Sequence, residues 1–475
     1  VSKRFTLICG AATLLTAALQ CSALHAQTVD LWLTTADHKS LFEHQSQPLQ
    51  FSSTGTVDAK TPVIDIDDKV HLQKMVGFGF ALTGGSAELL MRMTPDARTA
   101  LLKELFTTDG NAIGVSYLRV SIGSSDMNAK VFTYDDLPKG EQDRQLAHFD
   151  LGPDRADVVP VLKEILALNP KIAIMATPWS PPSWMKTNDN PKGGSLLPAM
   201  YDVYAQYFVR YIQAMAAEGI HIAAVTVQNE PLNPKNTPSM VMTSKEEGTF
   251  IATALGPSFK KAHLKTAIIL YDHNLDRPDY PMDILADPAA NKFVAGSGFH
   301  LYAGETSAMT KVHDAYPKKS LYFTEQMVVE DPDKRPFRIS SSVGRIVIGA
   351  TRNWSRNVLL WNLAADPHNG PHTDDGGCPI CQGAITLDGD MVTRNLAYYT
   401  IAQVSKFVRP GSLHVKSTSG SADSLANVAF VTPDHHRVLL VANTSHEPST
   451  FSVRWKGREF RAILGAGDVG TYVWH

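Results

Sequence analysis

From residue 74 onward the chain repeats one pattern, a short apolar run closed by turn residues followed by a longer stretch with apolar positions three and four apart. Eight runs read as strands: "KMVGFGFAL" (74–82), "SYLRVSIG" (116–123), "KIAIMATPW" (171–179), "IAAVTVQNE" (222–230), "TAIILYDHN" (266–274), "GSGFHLY" (296–302), "SLYFTEQ" (320–326) and "NVLLWNL" (357–363). Between them, "MTPDARTALLKELF", "RADVVPVLKEILALN" and "YDVYAQYFVRYIQAMAAEG" carry helical spacing. Pro95 and Asp96 after Thr94 predict a helix start, and Gly219 a helix stop. Strand and helix alternating eight times predict a parallel sheet closed into a (β/α)8 TIM barrel over residues 67–408, with a doubly wound open sheet as the alternative.

The flanks follow a period of two instead. "TVDLWLTT" and "TPVIDIDD" precede the repeat; "NVAFVT", "RVLLVANTS", "FSVRWKG", "FRAIL" and "GTYVWH" follow it. These predict a side β-sandwich assembled from both ends of the mature chain, residues 27–66 and 409–475, packed on the barrel as a stabilising platform. There is no solenoid repeat and no low-complexity linker.

The chain's 475 residues, 44% of them hydrophobic, suffice for a barrel plus a second module. Lys3 and Arg4 precede an apolar run ending among small residues, the layout of a signal peptide over residues 1–26 cleaved after Ala26. That run is too short to span a bilayer comfortably, and no later segment is apolar for long enough, so the expectation is a secreted or periplasmic protein without stable membrane insertion. Cleavage takes two cations from a net charge of -3 and leaves -5, with no basic stripe to neutralise nucleic acid. Cys378 and Cys381, in "GGCPICQG", are the cysteines that remain; export makes a loop disulfide the default, and His368 and His372 nearby keep a zinc site open as the alternative.

In a barrel of this kind, functional side chains collect at the C-terminal ends of the strands. Glu230 ends the fourth run and Glu325 the seventh. One strand-end carboxylate is as readily a salt-bridge partner as a catalyst; two facing each other across one mouth are what glycoside hydrolysis requires, one to protonate the leaving oxygen and one to meet the anomeric carbon. A separation of roughly 5 to 5.5 Å gives retention and roughly 6.5 to 9.5 Å inversion. Trp179, Tyr302 and Trp361 stand at strand ends, where flat rings can cover a pyranose, while Asp126, Asn229, His300 and Asn362 can bond its hydroxyls. Each aromatic alone reads as core packing; their shared face is the signal. Arg119, inside the second strand, needs a carboxylate partner, with Glu325 one candidate and a structural ion pair the alternative.

The motifs "GFGFALTGGSAELL", "YLRVSIGSSDMN", "ATPWSPPSWMKTN", "VTVQNEP", "GFHLY", "LYFTEQ" and "WNLAADPHNGPHT", in this order through almost the whole mature chain, resemble glycoside hydrolase family 30, the family of glucosylceramidases and β-1,6-glucanases. The resemblance implies a retaining enzyme that needs no cofactor or metal, with Glu230 as acid/base and Glu325 as nucleophile. It also implies that Asp126, Trp179, Asn229, His300, Tyr302, Trp361 and Asn362 line a glucose subsite. Lysosomal-type glucosylceramidases carry an acidic residue where this chain has Gly84, so no role carries to that position. The stretches after Glu230 and the "DGGCPICQGAI" loop are more similar to bacterial β-1,6-glucanases. A β-glucan or β-glucoside substrate is therefore expected, with glucosylceramide, or a sugar-binding barrel without turnover, as alternatives.

Overall fold

The computed structural model describes residues 28–53, 61–331, 333–418 and 424–475; the predicted leader, residues 1–26, lies outside the described residues. Eight parallel strands close into a barrel in sequence order. They are β1 (Gly77–Leu82), β2 (Tyr117–Ile122), β3 (Ala173–Pro178), β4 (Ala224–Thr226), β5 (Ala267–Asn274), β6 (Val294–His300), β7 (Ser320–Glu325) and β8 (Ser355–Leu360). β8 returns to β1 through the pairs Asn357 with Gly77 and Leu360 with Phe80. Each of the eight predicted runs overlaps a barrel strand, with β6 and β8 starting two residues earlier than expected. Helix Pro95–Phe106 starts after Thr94, and helix Tyr201–Ala217 ends just before Gly219, whose φ of 81° is a left-handed value that glycine adopts without cost.

The barrel interior changes character along its axis. Tyr117, Met175, Ala224, Ile269, Tyr322 and Leu359, from six strands, form one apolar plug. Side chains two residues onward share the same face of a strand, and those are Arg119, Thr177, Thr226, Thr324 and Trp361. The plug is thus capped by a polar layer toward the C-terminal ends, which are the ends expected to carry function.

One predicted element is shorter than its apolar run. The fourth run was expected as strand over 222–230, but β4 stops at Thr226. Beyond it the backbone is still held on both sides, Asn229 N donating to Pro178 O at 2.8 Å and Glu230 N to Asp272 O at 3.0 Å. Glu230 has φ of 43°, a left-handed value incompatible with a continuing strand, and Pro231 follows. Glu230 therefore sits on a turn rather than at a strand tip.

Both ends of the chain build one sheet. Strand Thr28–Thr34 pairs with Val469–Trp474, and strand Val63–Lys74 lies between Leu413–Ser417 and Ser449–Trp455. The sheet encloses an apolar core including Val29, Ile64, Val415, Leu439, Phe451 and Trp474. Buried Gln403, on barrel helix Leu396–Ser405, joins the modules by donating to Thr34 Oγ1 at 2.7 Å and accepting from Thr471 Oγ1 at 2.6 Å. Among the described residues, no helix is long and apolar enough to cross a membrane.

Candidate active site

The polar layer is organised around Arg119, which β2 holds fully buried. Its guanidinium donates to Glu325 Oε2 at 2.5 Å, Asn229 Oδ1 at 2.7 Å, Asp272 Oδ2 at 2.9 Å and Thr177 Oγ1 at 3.2 Å. Two buried anions and two neutral acceptors thus give every nitrogen of this buried cation a partner, and each partner is thereby aimed. Trp179 lies over the guanidinium at 4.8 Å, and Trp361 stands 5.3 Å from Trp179, so both rings pack on the same cation.

The second organiser is His300 at the end of β6. Its Nε2 donates to Asp272 Oδ1 at 3.0 Å, while Nδ1 donates to Glu230 Oε1 at 3.1 Å and stands 3.7 Å from Glu325 Oε1. The two glutamates thus converge on one ring nitrogen. Glu230 Oε2 also accepts from Asn233 Nδ2 at 2.7 Å, and Glu325 Oε1 accepts from the Tyr302 hydroxyl at 2.9 Å. Oxygens of both carboxylates and Nδ1 lie within 4.8 Å of one another.

Charge follows from these contacts. Burial opposes a charged ring at His300, but Glu325, Asp272 and Glu230 overcome it and raise the imidazole to about 9. Burial would raise Glu230, yet His300 and Asn233 hold it at about 2. Burial pushes Glu325 above the usual carboxylate range against the pull of His300 and Arg119. Asp272, buried too, is held well below that range by Arg119 and His300. Asp126, on the loop after β2, is raised to about 8 by burial and by the charges of Glu325 and Glu230. Glu230, His300 and Glu325 each bring one polar atom within reach of a common point, and in this structure both ring nitrogens are engaged by carboxylates.

These groups open onto a cleft of about 660 Å³ whose wall includes Asp126, Glu230, Asn233, Tyr302, Glu325 and Trp361. Tyr302 is 40% exposed and Ile380 45%, making an apolar rim beside the Cys378–Cys381 disulfide, which also lines the cleft. With both sulfurs in the disulfide no thiolate is left for zinc, and His372 Nδ1 instead contacts Thr373 O at 3.0 Å. Asn362, like Arg119, Trp179, Asn229 and His300, stands behind the residues of the cleft wall; it is fully buried and its Oδ1 accepts from Ser86 Oγ at 3.2 Å.

Sequence reasoning passed over Asp272, the anion that links both organisers and also accepts from Thr226 Oγ1 at 2.7 Å and Thr324 Oγ1 at 2.6 Å. The signal was present, a carboxylate near the end of the fifth run just as at the fourth and seventh. What the run did not reveal is a bulge between Tyr271 and His273, where Tyr271 and Asp272 take φ of 74° and 62° and the carboxylate turns inward.

With this geometry in place, comparison with known proteins is decisive. Residues 75–408 match the glycosyl hydrolase family 30 TIM-barrel domain and residues 411–472 the family 30 β-sandwich domain. The chain belongs to glycosyl hydrolase family 30. It is 34% identical over 478 residues to an endo-1,6-β-D-glucanase of Neurospora crassa, covering 97% of each chain. It is 28% identical to the lysosomal acid glucosylceramidase of Mus musculus, covering 90% of this chain and 85% of that one. A solved endo-β1,6-glucanase superimposes with a TM-score of 0.85 at 33% identity, over 94% of this chain and 99% of that one. This family 30 chain is therefore a glycoside hydrolase with the family's barrel and sandwich domains.

Proposed function

We propose that this family 30 hydrolase cleaves β-1,6-linked glucan with retention of configuration, using Glu325 as nucleophile and Glu230 as acid/base. The observation that carries the reading is the convergence of both carboxylates on His300 Nδ1, at 3.1 and 3.7 Å. Oxygens less than 4.8 Å apart leave no room for a water between nucleophile and sugar, which favours direct attack.

In the first step Glu325, oriented by Arg119 and Tyr302, attacks the anomeric carbon as the bond to the leaving oxygen breaks. The leaving oxygen needs a proton. Glu230 in its acid form supplies it, its Oε1 positioned by the 3.1 Å contact with His300 Nδ1 and its Oε2 by Asn233. Ester formation removes the negative charge of Glu325, so Glu230 holds a proton less tightly and is ready to deprotonate the water that releases the sugar. Asp272 keeps Nε2 of the ring occupied throughout, so that Nδ1 is the nitrogen facing the carboxylates.

The substrate class is supported by the relatives, which at 33–34% identity are named for β-1,6-glucan and at 28% for glucosylceramide. Local packing agrees. A Cβ on Gly84 would lie 1.9 Å from Asn128 Nδ2, so the acidic side chain expected here in lysosomal-type enzymes has no space. The rim of Tyr302, Ile380 and the disulfide suits the flat face of a further sugar. Arrival at this substrate requires export, in keeping with the leader expected over residues 1–26 and with the disulfide. Product analysis on β-1,6-glucan beside glucosylceramide tests the reading: faster release of glucose or short β-1,6-oligomers is expected, and preferential cleavage of the glycolipid would overturn it.

A further inference from the structure

Outside the cleft, the long loop after β2 brings together Asp135, Asp143 and His148, each offering a ligand atom within 4.8 Å of the others. Asp143 Oδ2 is 2.9 Å from His148 Nδ1, and its two oxygens accept the backbone N–H groups of Gln145 and His148. Asp135 differs. It is 1% exposed, and neither carboxylate oxygen has a hydrogen-bond partner. Such a group is costly to bury, the more so when charged. Burial and the charge of Asp143 push the Asp135 carboxyl up to about 6 against the pull of His148 and Arg210, and its charged neighbours bond elsewhere: Asp136 is engaged by Thr133 through N and Oγ1, and Arg210 donates to Gln145 O at 2.8 Å.

We propose that Asp135, Asp143 and His148 bind a divalent cation of the zinc type. Two carboxylates and an imidazole carry a charge of -2, which a divalent ion neutralises, and the nitrogen donor favours zinc over calcium or magnesium, which prefer all-oxygen shells. The His148 side chain is 70% exposed, so it can turn to close the site and leaves a coordination position open to water. The role is structural. Asp135 O accepts from Trp184 Nε1 at 2.8 Å, and Tyr134 N is bonded by the Tyr207 hydroxyl at 3.0 Å, so an ion there braces the β2 loop against segment Ser183–Met185, four residues beyond Trp179.

The test uses the full chain, stripped with a chelator and titrated with Zn2+ or Ca2+, read by metal content and by melting temperature. Wild type should take up one zinc ion more than Asp135→Asn and gain a few degrees on zinc addition, a gain the variant lacks. Stripped Asp135→Asn should itself melt above stripped wild type, because the unmet buried charge is gone. His148→Ala should weaken zinc binding at least about tenfold. Equal zinc uptake by wild type and Asp135→Asn, no zinc-dependent shift in wild type, or a calcium response undiminished in His148→Ala would each overturn the assignment.

Discussion

Asp272 Oδ1 accepts a hydrogen bond from His300 Nε2 at 3.0 Å, deep in the barrel where both side chains are fully buried. This contact decides which nitrogen faces the two glutamates and keeps the ring charged among three carboxylates. Replacing Asp272 by Asn keeps the shape but removes the anion. Turnover should fall by about 10²-fold or more, and the alkaline limb of the pH–rate profile should move to lower pH as His300 loses its proton more easily. An unmoved alkaline limb would separate Asp272 from the proton inventory of the site.

The assignment of Glu325 is open to chemical rescue. Glu325→Ala should lose turnover of an aryl β-glucoside by several orders of magnitude, and azide should restore cleavage with formation of an α-glucosyl azide, because the small anion occupies the space of the lost carboxylate. A β-azide product, or undiminished turnover without azide, would assign the nucleophile elsewhere.

Glu230 should show its role through the leaving group. In Glu230→Ala, substrates whose aglycone departs without protonation should keep near-normal first-step rates, while alkyl and glucosyl aglycones slow by about 10²- to 10⁴-fold. Single-turnover kinetics across a series of aryl glucosides checks the slope; equal losses throughout would count against acid catalysis at this position.

Stability should fall as the solution becomes alkaline. His300 rises from 6.5 to about 9 on folding, so its contribution is complete below pH 6.5 and disappears as pH climbs through 9. Asp126, raised from 3.8 to about 8, has the same sign: the folded protein binds the proton that the unfolded chain has released, and stability declines between those values. Melting temperatures from pH 4 to 10 should therefore drop more steeply for wild type than for Asp126→Asn below pH 8, and the loss between pH 6.5 and 9 should be smaller in His300→Gln.

Gly84→Ala should disturb the site without touching substrate. The added carbon would meet Asn128, which accepts from Ser125 N at 2.9 Å and so shapes the turn that carries Asp126. A loss of about 1 to 3 kcal/mol in stability and a raised KM are expected from this overpacking. Chemical denaturation with kinetics on the same preparation checks both; an unchanged KM would mean that the Asn128 turn does not shape the subsite.

Much of this molecule was legible along the chain. Eight apolar runs alternating with amphipathic helices imply a closed parallel sheet because each helix has one face to bury and a strand to bury it on. The same periodicity put Glu325 at a strand end, Arg119 inside one and the aromatic residues beside them, and the period-two flanks foretold a sandwich shared by both termini. Asp272 was hidden by a local break in that period. A bulge reverses which side of a strand a residue faces, and no pattern of residue types in "TAIILYDHN" marks where it falls. Glu230 reaches the barrel mouth, but on a left-handed turn after β4 rather than at the expected strand tip.

Sequence alone therefore determined the architecture, the family and the presence of two carboxylates at one end of a barrel, because periodic burial and residue type are local properties. Tertiary structure decided that both glutamates meet at one nitrogen of His300 and that Arg119 clamps Glu325 and Asp272 together. Proton placement depends on distances of a few ångströms between buried groups from different strands, and those distances exist only once the barrel has closed.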